Sequence, residues 1–275
     1  MAALNYAKEY SNALAQAYPY VLNFGALYAT PNNGRYRWIN AKTIEIPSIT
    51  TTGRVNANRD TIATAQRNYD NDWETKTLSN QRKWSTLVHP QDVVQTNMVT
   101  TISNITQVYN EEQKFPEKDA YTISKIYADW ITTTDPEGNT RTADTTALTA
   151  QNILSVFDAL MLKMDNERVP ANGRILYVTH EVKAMLKNAV QGSRSINASD
   201  TNGAIDRTIS RIEEVEVIGV PATLMKTLYN FTQGWEVAVS AKQINMFLVH
   251  PNAVITPESY SFSQLDEPSA TSEGK

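Results

Sequence analysis

The sequence predicts an α+β protein, because helix-like and strand-like patterns alternate along the chain. Apolar residues recur every three or four positions between Val94 and Ile131, which indicates a long helical segment. Two earlier runs, residues 36–49 and 73–88, alternate between polar and apolar side chains as strands do. Shorter helix-like and strand-like patterns follow residue 150. Hydrophobic residues make up 41% of the 275 positions, which is enough for a packed core.

Composition excludes several kinds of site. The chain has no cysteine, so disulfides, thiolate metal sites and cysteine nucleophiles are ruled out. Its formal net charge is −4, whereas a dedicated nucleic-acid-binding protein usually carries a basic excess. With only 10 glycines, phosphate-cradling loops are disfavoured. No apolar run approaches the roughly 20 residues that cross a bilayer, so no membrane partner is expected.

The sequence nominates no catalytic, cofactor-binding or metal-binding residue, and we expect neither an enzyme nor a cofactor. The three histidines, His89, His180 and His250, are far apart in the sequence. Asp70, Asp72 and Glu74 are spaced like calcium ligands, but the glycine and the final glutamate of a calcium loop are missing. These carboxylates are therefore interpreted as a solvated strand.

The first 90 residues indicate an arm followed by a long hairpin. Residues 4–18 have the pattern of a short amphipathic helix, and residues 24–34 that of a loop, which together predict an arm outside any compact core. The two alternating runs flank the polar span Thr50–Asp72, which predicts a protruding β-hairpin. A peripheral hairpin on an ordinary domain is the alternative. An extended hairpin needs a surface to lie against, and a neighbouring subunit is the natural candidate.

Helices and short strands are predicted in the remainder. His89-Pro90 starts a helix that runs to about Gln113, and Pro116 restarts it as far as Ile131. The turn-rich linker at residues 132–146 is the best candidate for a domain boundary. Beyond it we predict helices at 152–166 and 180–189, strands at 174–179, 215–220 and 244–249, a loop at 190–205, further extended segments at 253–256 and 260–263, and a polar tail.

Charge is distributed unevenly along the chain. Residues 1–59 contain six basic and two acidic residues, a net charge of +4, so the rest of the chain carries −8. This asymmetry favours contact between the hairpin of one copy and the body of another. We expect Arg54 and Arg59 near the hairpin tip to meet carboxylates of a neighbouring copy. The candidate residues for contacts between subunits are Arg54, Arg59, Trp73, Trp84, Glu111, Glu112 and Glu117.

Three stretches carry a resemblance to a known family. Residues 114–127, KFPEKDAYTISKIY, resemble a segment of the spine region in major capsid proteins of tailed bacteriophages, closest to those of phages of Gram-positive hosts. Residues 169–182 are similar to the start of the family's A-domain, and residues 247–254 to its late returning strand. The resemblance covers Met1 to about Leu265. The shared order of these stretches is more specific than any one of them.

The resemblance implies the Hong Kong phage-type capsid fold and a division of the chain. The implied parts are an N-terminal arm (1–34), an extended E-loop β-hairpin (35–90), a P-domain with a long spine helix (91–134), an α/β A-domain (135–245), strands returning to the P-domain (246–266) and a flexible tail (267–275). The arm helix begins near Met1, so a separate scaffolding protein is expected in place of a cleaved leader.

The implied function is that of a coat protein in the virion, assembled in the host cytoplasm. Copies would form hexamers and pentamers of an icosahedral head, with a portal as a further partner and double-stranded DNA held inside without sequence-specific binding. Two alternatives stay open. One is the shell of an encapsulin-type nanocompartment, and the other is a small-molecule enzyme with an α/β domain at residues 147–255.

Overall fold

The computed structural model describes residues 20–56, 67–96, 99–135, 138–189 and 209–258. The helices are α1 (Gly25–Tyr28), α2 (Pro90–Gln95), α3 (Ile102–Tyr109), α4 (Phe115–Ile131), α5 (Ile153–Asn166) and α6 (His180–Ala189). The strands are β1 (Arg37–Asn40), β2 (Thr43–Thr51), β3 (Tyr69–Thr77), β4 (Ile175–Thr179), β5 (Arg211–Ile212), β6 (Val215–Val220), β7 (Tyr229–Asn230), β8 (Glu236–Val237) and β9 (Met246–Val249). Among the helices of these ranges, none combines the length and the apolar character needed to span a membrane.

A four-stranded sheet lies at the centre of the fold, in the order β5-β6-β4-β9. β4 pairs in parallel with β6, while β9 and β5 add antiparallel edges. All five residues of β4 are buried, because layers cover both faces of the strand. Side chains that alternate along β4 therefore enter two different cores: Ile175 and Tyr177 point to one, Leu176 and Val178 to the other.

Each face of this sheet carries its own layer. Ala120 and Ile123 of α4 pack on the face that holds Tyr177, together with the N-terminal segment. Phe157 of α5 and Leu186 of α6 cover the opposite face. The linker after Ile131 thus connects two layers on one sheet, and the predicted domain boundaries stay a prediction.

Helical structure runs without interruption from Ile102 to Ile131, about 45 Å at 1.5 Å per residue. A π-helical turn at Asn110–Lys114 joins α3 to α4, and Pro116 lies in the first turn of α4. Because proline has no amide hydrogen to donate, the regular α-helical hydrogen bonds are interrupted at Pro116. The turn just before it is the π-helical one. The predicted long helix is confirmed here. A single helix from residue 92 is wrong, because α2 ends at Gln95 and Thr101 caps a new helix.

The N-terminal segment belongs to the core, in contrast to the predicted arm. Phe24 and Leu27 are fully buried, and the ring of Phe24 lies 4.7 Å from that of Tyr177. Residues predicted as a loop form α1 and a 3-10 turn at Pro31–Gly34. The expectation that this stretch stays outside a compact core is wrong for residues 24–34. The predicted helix at 4–18 lies outside the described residues.

Most later elements are confirmed. α5, β4, α6 and β6 match the predicted positions to within one residue. The side chain of Thr179 accepts a hydrogen bond from the amide of Val182 and so caps α6. The two-residue strands β5, β7 and β8 are too short to show a pattern in the sequence. The segment predicted as extended at 253–256 begins instead in a 3-10 turn, Pro251–Ala253. The predictions for 190–205, 260–263 and the tail fall outside the described residues.

Candidate functional site

Strands β1, β2 and β3 form a second, three-stranded sheet, and β2 and β3 extend beyond β1 as an exposed two-stranded ribbon. β2 and β3 pair antiparallel along their whole length, from Thr43 opposite Thr77 to Thr51 opposite Tyr69. All nine residues of β3 are exposed, as are those of β2 from Pro47 onward. The prediction of an antiparallel hairpin is confirmed, but its second strand is Tyr69–Thr77 and not residues 73–88. Residues 57–66 at its tip lie outside the described residues.

The outer half of the ribbon has two chemically different faces. Residues opposite one another share a face, so the register assigns every side chain. We call one the aromatic face, formed by Pro47, Ile49, Thr51, Tyr69, Asn71 and Trp73. We call the other the acidic face, formed by Ser48, Thr50, Asp70, Asp72 and Glu74. Ile49, Tyr69 and Trp73 are 72%, 57% and 39% exposed, which leaves a row of large apolar side chains in contact with water.

Two arginines lie over the rings of the aromatic face. The guanidinium carbon of Arg37 is 4.2 Å from the ring centre of Trp73, and that of Arg67 is 4.8 Å from the ring centre of Tyr69. Arg37 also forms an ion pair with Glu45 at 2.7 Å. Cation–π contacts of this kind orient both partners. Tyr, Trp and Arg are the side chains that most often dominate the energy of protein interfaces.

The base of the ribbon is fixed to the body through Arg82. Its Nε lies 2.6 Å from Oε1 of Glu117 on α4, and Nη2 lies 3.3 Å from Oε2, so the ion pair is bidentate. Arg82 also donates to the carbonyl oxygens of Phe231 and of Gly234, the latter at 2.8 Å. One side chain thus joins the segment that leaves β3, the long helix and the β7–β8 turn.

Trp84 contributes a second contact at this base. Its ring stacks on that of Tyr109 in α3, with 4.0 Å between the ring centres and 11° between the planes. The alternation of Trp84, Thr86 and Val88 predicted a strand, but the segment from Leu78 to His89 has no regular structure. The side chain of Trp84 is held by α3 of the same chain and not by a partner strand.

The remaining candidate contact residues lie apart from one another. Arg54 is exposed beyond the end of β2, and Arg59 falls outside the described residues. Glu111 is half-buried in the π-helical turn: Oε1 accepts a hydrogen bond from Gln107 at 3.2 Å, while Oε2 is buried without a hydrogen-bond partner within the described ranges. Glu112 is exposed, and Glu117 is engaged by Arg82. Contacts of these residues with another copy stay a prediction.

A buried carboxylate anchors the N-terminal segment to α4. Oδ2 of Asp119, which is fully buried, accepts hydrogen bonds from the amide of Asn23 at 2.8 Å, from its side chain at 3.0 Å and from the hydroxyl of Tyr20, while Oδ1 accepts one from the amide of Phe24 at 3.2 Å. Burial and the nearby carboxylate of Asp119 raise the pKa of Tyr20. The anchor places the chain entering the ribbon at a fixed point.

An open cleft of about 2890 Å³ lies between the base of the ribbon, α4 and the end of α5. Its charged lining includes the ion pairs Arg82–Glu117, Lys125–Asp129 and Arg141–Glu167. Within the described ranges, no group of three His, Asp or Glu side chains is placed to hold a metal ion. The cleft offers paired charges and apolar walls, which are features of a packing surface.

Sequence reasoning missed Arg37, Arg67, Arg82 and Asp119. Arg67 and Tyr69 fall in the span predicted as a polar connection, but their spacing of two is a signal that could have revealed the contact once the span is taken as a strand. Arg37 meets Trp73 only once the register of three strands is known. Arg82 and Glu117 are 35 residues apart, and Asp119 meets its donors across more than 90 residues, so no local pattern reveals either contact.

Solved structures of phage particles resemble this chain. A chain from Mycobacterium phage Che8 matches with a TM-score of 0.51 and 13% identity, covering 91% of this chain and 99% of that one. The asymmetric unit of the bacteriophage PhiM1 mature capsid gives a TM-score of 0.57 at 12% identity, over 90% and 77%. The capsid structure of cyanophage P-SCSP1u gives 0.50 at 14% identity, over 79% and 69%.

No family model and no curated protein matches the sequence. At identities of 12–14% the likeness is one of fold, and it extends over most of the chain in each comparison. The chain is therefore a mixed helix-and-strand protein that shares the fold of phage capsid structures.

Proposed function

We propose that this chain is the major capsid protein of a tailed bacteriophage, which assembles into pentamers and hexamers of an icosahedral head around double-stranded DNA. One observation carries the proposal: a chain with the fold of phage capsid structures extends an aromatic ribbon away from its own core. The outer half of the ribbon, beyond β1, has only two strands, an arrangement that is marginal in water by itself, and it exposes three large apolar side chains. A second copy provides the surface that it lacks.

Contact between the ribbon of one copy and the body of the next is heterologous. When each copy is rotated from the last by an angle that divides a full turn evenly, such contacts close into a ring. Rings of five and six copies can then combine into a closed shell. The Arg82 contacts and the Trp84–Tyr109 stack support this role, because they hold the base of the ribbon at one angle to the body. A fixed angle is what a repeating lattice requires.

We assign the parts of the chain by the Hong Kong phage-type organisation. The ribbon is the E-loop within residues 35–90, the helical run Ile102–Ile131 is the spine helix of a P-domain at 91–134, and the central sheet belongs to an A-domain at 135–245. The strand near 246–249 returns towards the P-domain. Residues 20–34 of the arm pack on the spine helix, which supports an arm held against the P-domain.

Charge supports a particular contact between copies. Arg54 near the tip is exposed, and residues 78–258, which follow the ribbon, carry a net charge of −4, so the tip is attracted to the body of a second copy. We propose that Arg54 and Arg59 meet Glu111 and Glu112 of the neighbour. Glu117 already pairs with Arg82 of its own chain. It therefore contributes to such a contact only through the combined charge that it shares with Glu111 and Glu112.

The acidic composition also fits a wall around DNA. A negatively charged inner surface repels phosphate, so the genome can be moved in and out without binding to the shell. A scaffolding protein and a portal are the further partners that we propose. Assembly would take place in the host cytoplasm, and the mature location is the virion.

Electron microscopy of the purified full-length chain tests the proposal. The protein is expressed alone, concentrated, and examined by negative staining and by sedimentation velocity over a range of concentrations. Closed particles, or rings of five and six copies, are the expected result. A stable monomer at every concentration, with no tendency to polymerise, would falsify the proposal.

A further inference from the structure

The ribbon changes its apolar side halfway along its length. In the inner half, Ile44 is buried at 2% exposure and Ile46 is half-buried, and both belong to the side that continues outward as the acidic face. From Pro47 onward the apolar side chains lie on the opposite side. The outer apolar row is therefore not a continuation of the chain's own core, since the core covers the other side of the ribbon.

The two faces also differ in charge. Arg37 and Arg67 lie over the rings of the aromatic face, with Glu45 as the one carboxylate on that side of the paired strands. The acidic face carries three carboxylates, and Lys76 on the same side forms an ion pair with Glu74 at 2.6 Å. One face is thus apolar with a cationic fringe, and the other is polar and anionic.

A second copy discriminates between these faces. Residues 78–258, which follow the ribbon and include the body, contain 16 basic and 20 acidic residues, a net charge of −4, so the body attracts the aromatic face and repels Asp70 and Asp72. Covering Trp73, Tyr69 and Ile49 removes apolar area from water, at about 25 cal/mol per Å². Covering the acidic face would bury carboxylates without counter-charges, which is costly. Charge and apolar burial therefore both favour the aromatic face as the contact surface.

We infer that the ribbon binds a second copy through its aromatic face and keeps its acidic face in solvent in the assembled particle. This inference rests on the proposed function and adds the sidedness of the contact to it. The neighbour's body is the partner surface, and Tyr69, Trp73, Ile49 and the arginines over the rings are the contacting groups. The acidic row of Asp70, Asp72 and Glu74 lines the particle surface.

The absence of cysteine allows a direct test with single thiols. Thr50 and Thr51 are adjacent, exposed and chemically identical, but Thr50 is opposite Asp70 on the acidic face and Thr51 opposite Tyr69 on the aromatic face. Thr50→Cys and Thr51→Cys are each reacted with a maleimide, first as unassembled chains and then as particles. Both thiols should react at the same rate before assembly.

In particles, we expect labelling at position 51 to slow roughly tenfold or more, equivalent to a local opening free energy of about 1.4 kcal/mol, while position 50 stays as reactive as before. The opposite pattern, or equal rates in intact particles, would overturn the sidedness and leave the capsid function standing. If the unaltered chain forms no particles, the proposed function fails and this inference fails with it.

Charge substitutions provide a second, independent test of which face makes the contact. Asp70→Asn together with Asp72→Asn should leave the yield of particles unchanged or raise it, because these carboxylates face solvent and the neighbour's body is also acidic. Arg67→Gln should reduce the rate of assembly, measured by light scattering, since it removes a cation from the contacting face. Circular dichroism confirms that each chain is folded. Loss of assembly in the aspartate variant with no effect of Arg67→Gln would contradict the inference.

Discussion

Arg82 and Glu117 form a bidentate ion pair that joins the base of the exposed ribbon to the long helix, with Nε and Oε1 2.6 Å apart. The same guanidinium donates to two carbonyl oxygens in the β7–β8 turn. It therefore fixes the segment that follows β3 to the long helix and to the β7–β8 turn.

Arg82→Ala should impair assembly more than it impairs folding. The substitution leaves Glu117 without its partner and releases two carbonyl oxygens, at a cost of about 1–3 kcal/mol in the free energy of unfolding. Urea unfolding of the unassembled chain measures this loss, and sedimentation velocity measures assembly. The matched control is Lys83→Ala, the next residue, which is exposed and forms no ion pair in the described ranges. Equal assembly by both variants would show that the ribbon does not depend on this contact.

Asp119→Asn should destabilise the chain strongly. An asparagine amide cannot accept all the hydrogen bonds that Asn23, Phe24 and Tyr20 donate to the carboxylate, so we expect a loss of about 2–4 kcal/mol in the free energy of unfolding. Asp129→Asn is the control on the same helix, since Asp129 is exposed and forms an ion pair with Lys125 four residues earlier. Its cost should stay within about 0.5 kcal/mol. Similar losses for both substitutions would contradict the anchoring role.

Stability should fall at alkaline pH. Burial raises the pKa of Tyr28 and of Tyr229 to about 12, above the ordinary value of 10.0. Because the folded state holds these protons more tightly, the stability they contribute is fully present below pH 10 and is lost as pH rises through about 12. Each tyrosine contributes a slope of up to about 1 kcal/mol per pH unit in that window.

Urea unfolding at a series of pH values measures this slope. Replacing both tyrosines by phenylalanine should lower the stability at neutral pH, because Tyr229 donates to the carbonyl of Thr223 at 2.8 Å and Tyr28 bonds to Thr122. The same double variant should show a flatter decline above pH 10. An unchanged slope would mean that these hydroxyls titrate alike in the folded and unfolded chain.

Reversing charge at the tip of the ribbon should reduce particle formation. Arg54→Glu combined with Arg59→Glu places like charges against the acidic body of the neighbour. Adding Glu111→Lys and Glu112→Lys in the same chain should restore part of the yield, since each contact then pairs opposite charges again. Electron microscopy gives the yield of particles. Normal particles from the first variant would defeat this contact, and absence of rescue by the second would assign the arginines to a different partner surface.

The regular elements could be predicted from the sequence because their signals are local. Trp38 and Ile44 in the first run, and Trp73, Thr75 and Thr77 in the second, follow an alternating pattern, which is sufficient to predict the hairpin. Thr179 immediately before an apolar run is likewise a local signal for the start of α6. Phe24 was wrongly expected to lie outside the core, because its burial depends on Asp119 and Tyr177, which are distant in the sequence.

The candidate site was predicted less completely than the fold. Exposed aromatic residues in a polar strand indicated that the hairpin contacts something, but Arg82 carries no local pattern that marks it as the residue at the base. Trp84 was nominated for a contact between subunits, and its ring lies on Tyr109 of the same chain. An aromatic residue in an alternating run looks the same in sequence whether it faces its own body or a partner.

Shortening the ribbon tests the central claim most directly. Ser48 and Asp72 are opposite one another, so residues 49–71 can be replaced by Asn-Gly, which favours a tight hairpin turn and leaves the base of the ribbon in place. Sedimentation velocity then compares this variant with the unaltered chain at equal concentration, and circular dichroism checks its fold. The account predicts a folded monomer where the unaltered chain forms particles. Particles of the same size and yield from the shortened chain would contradict it.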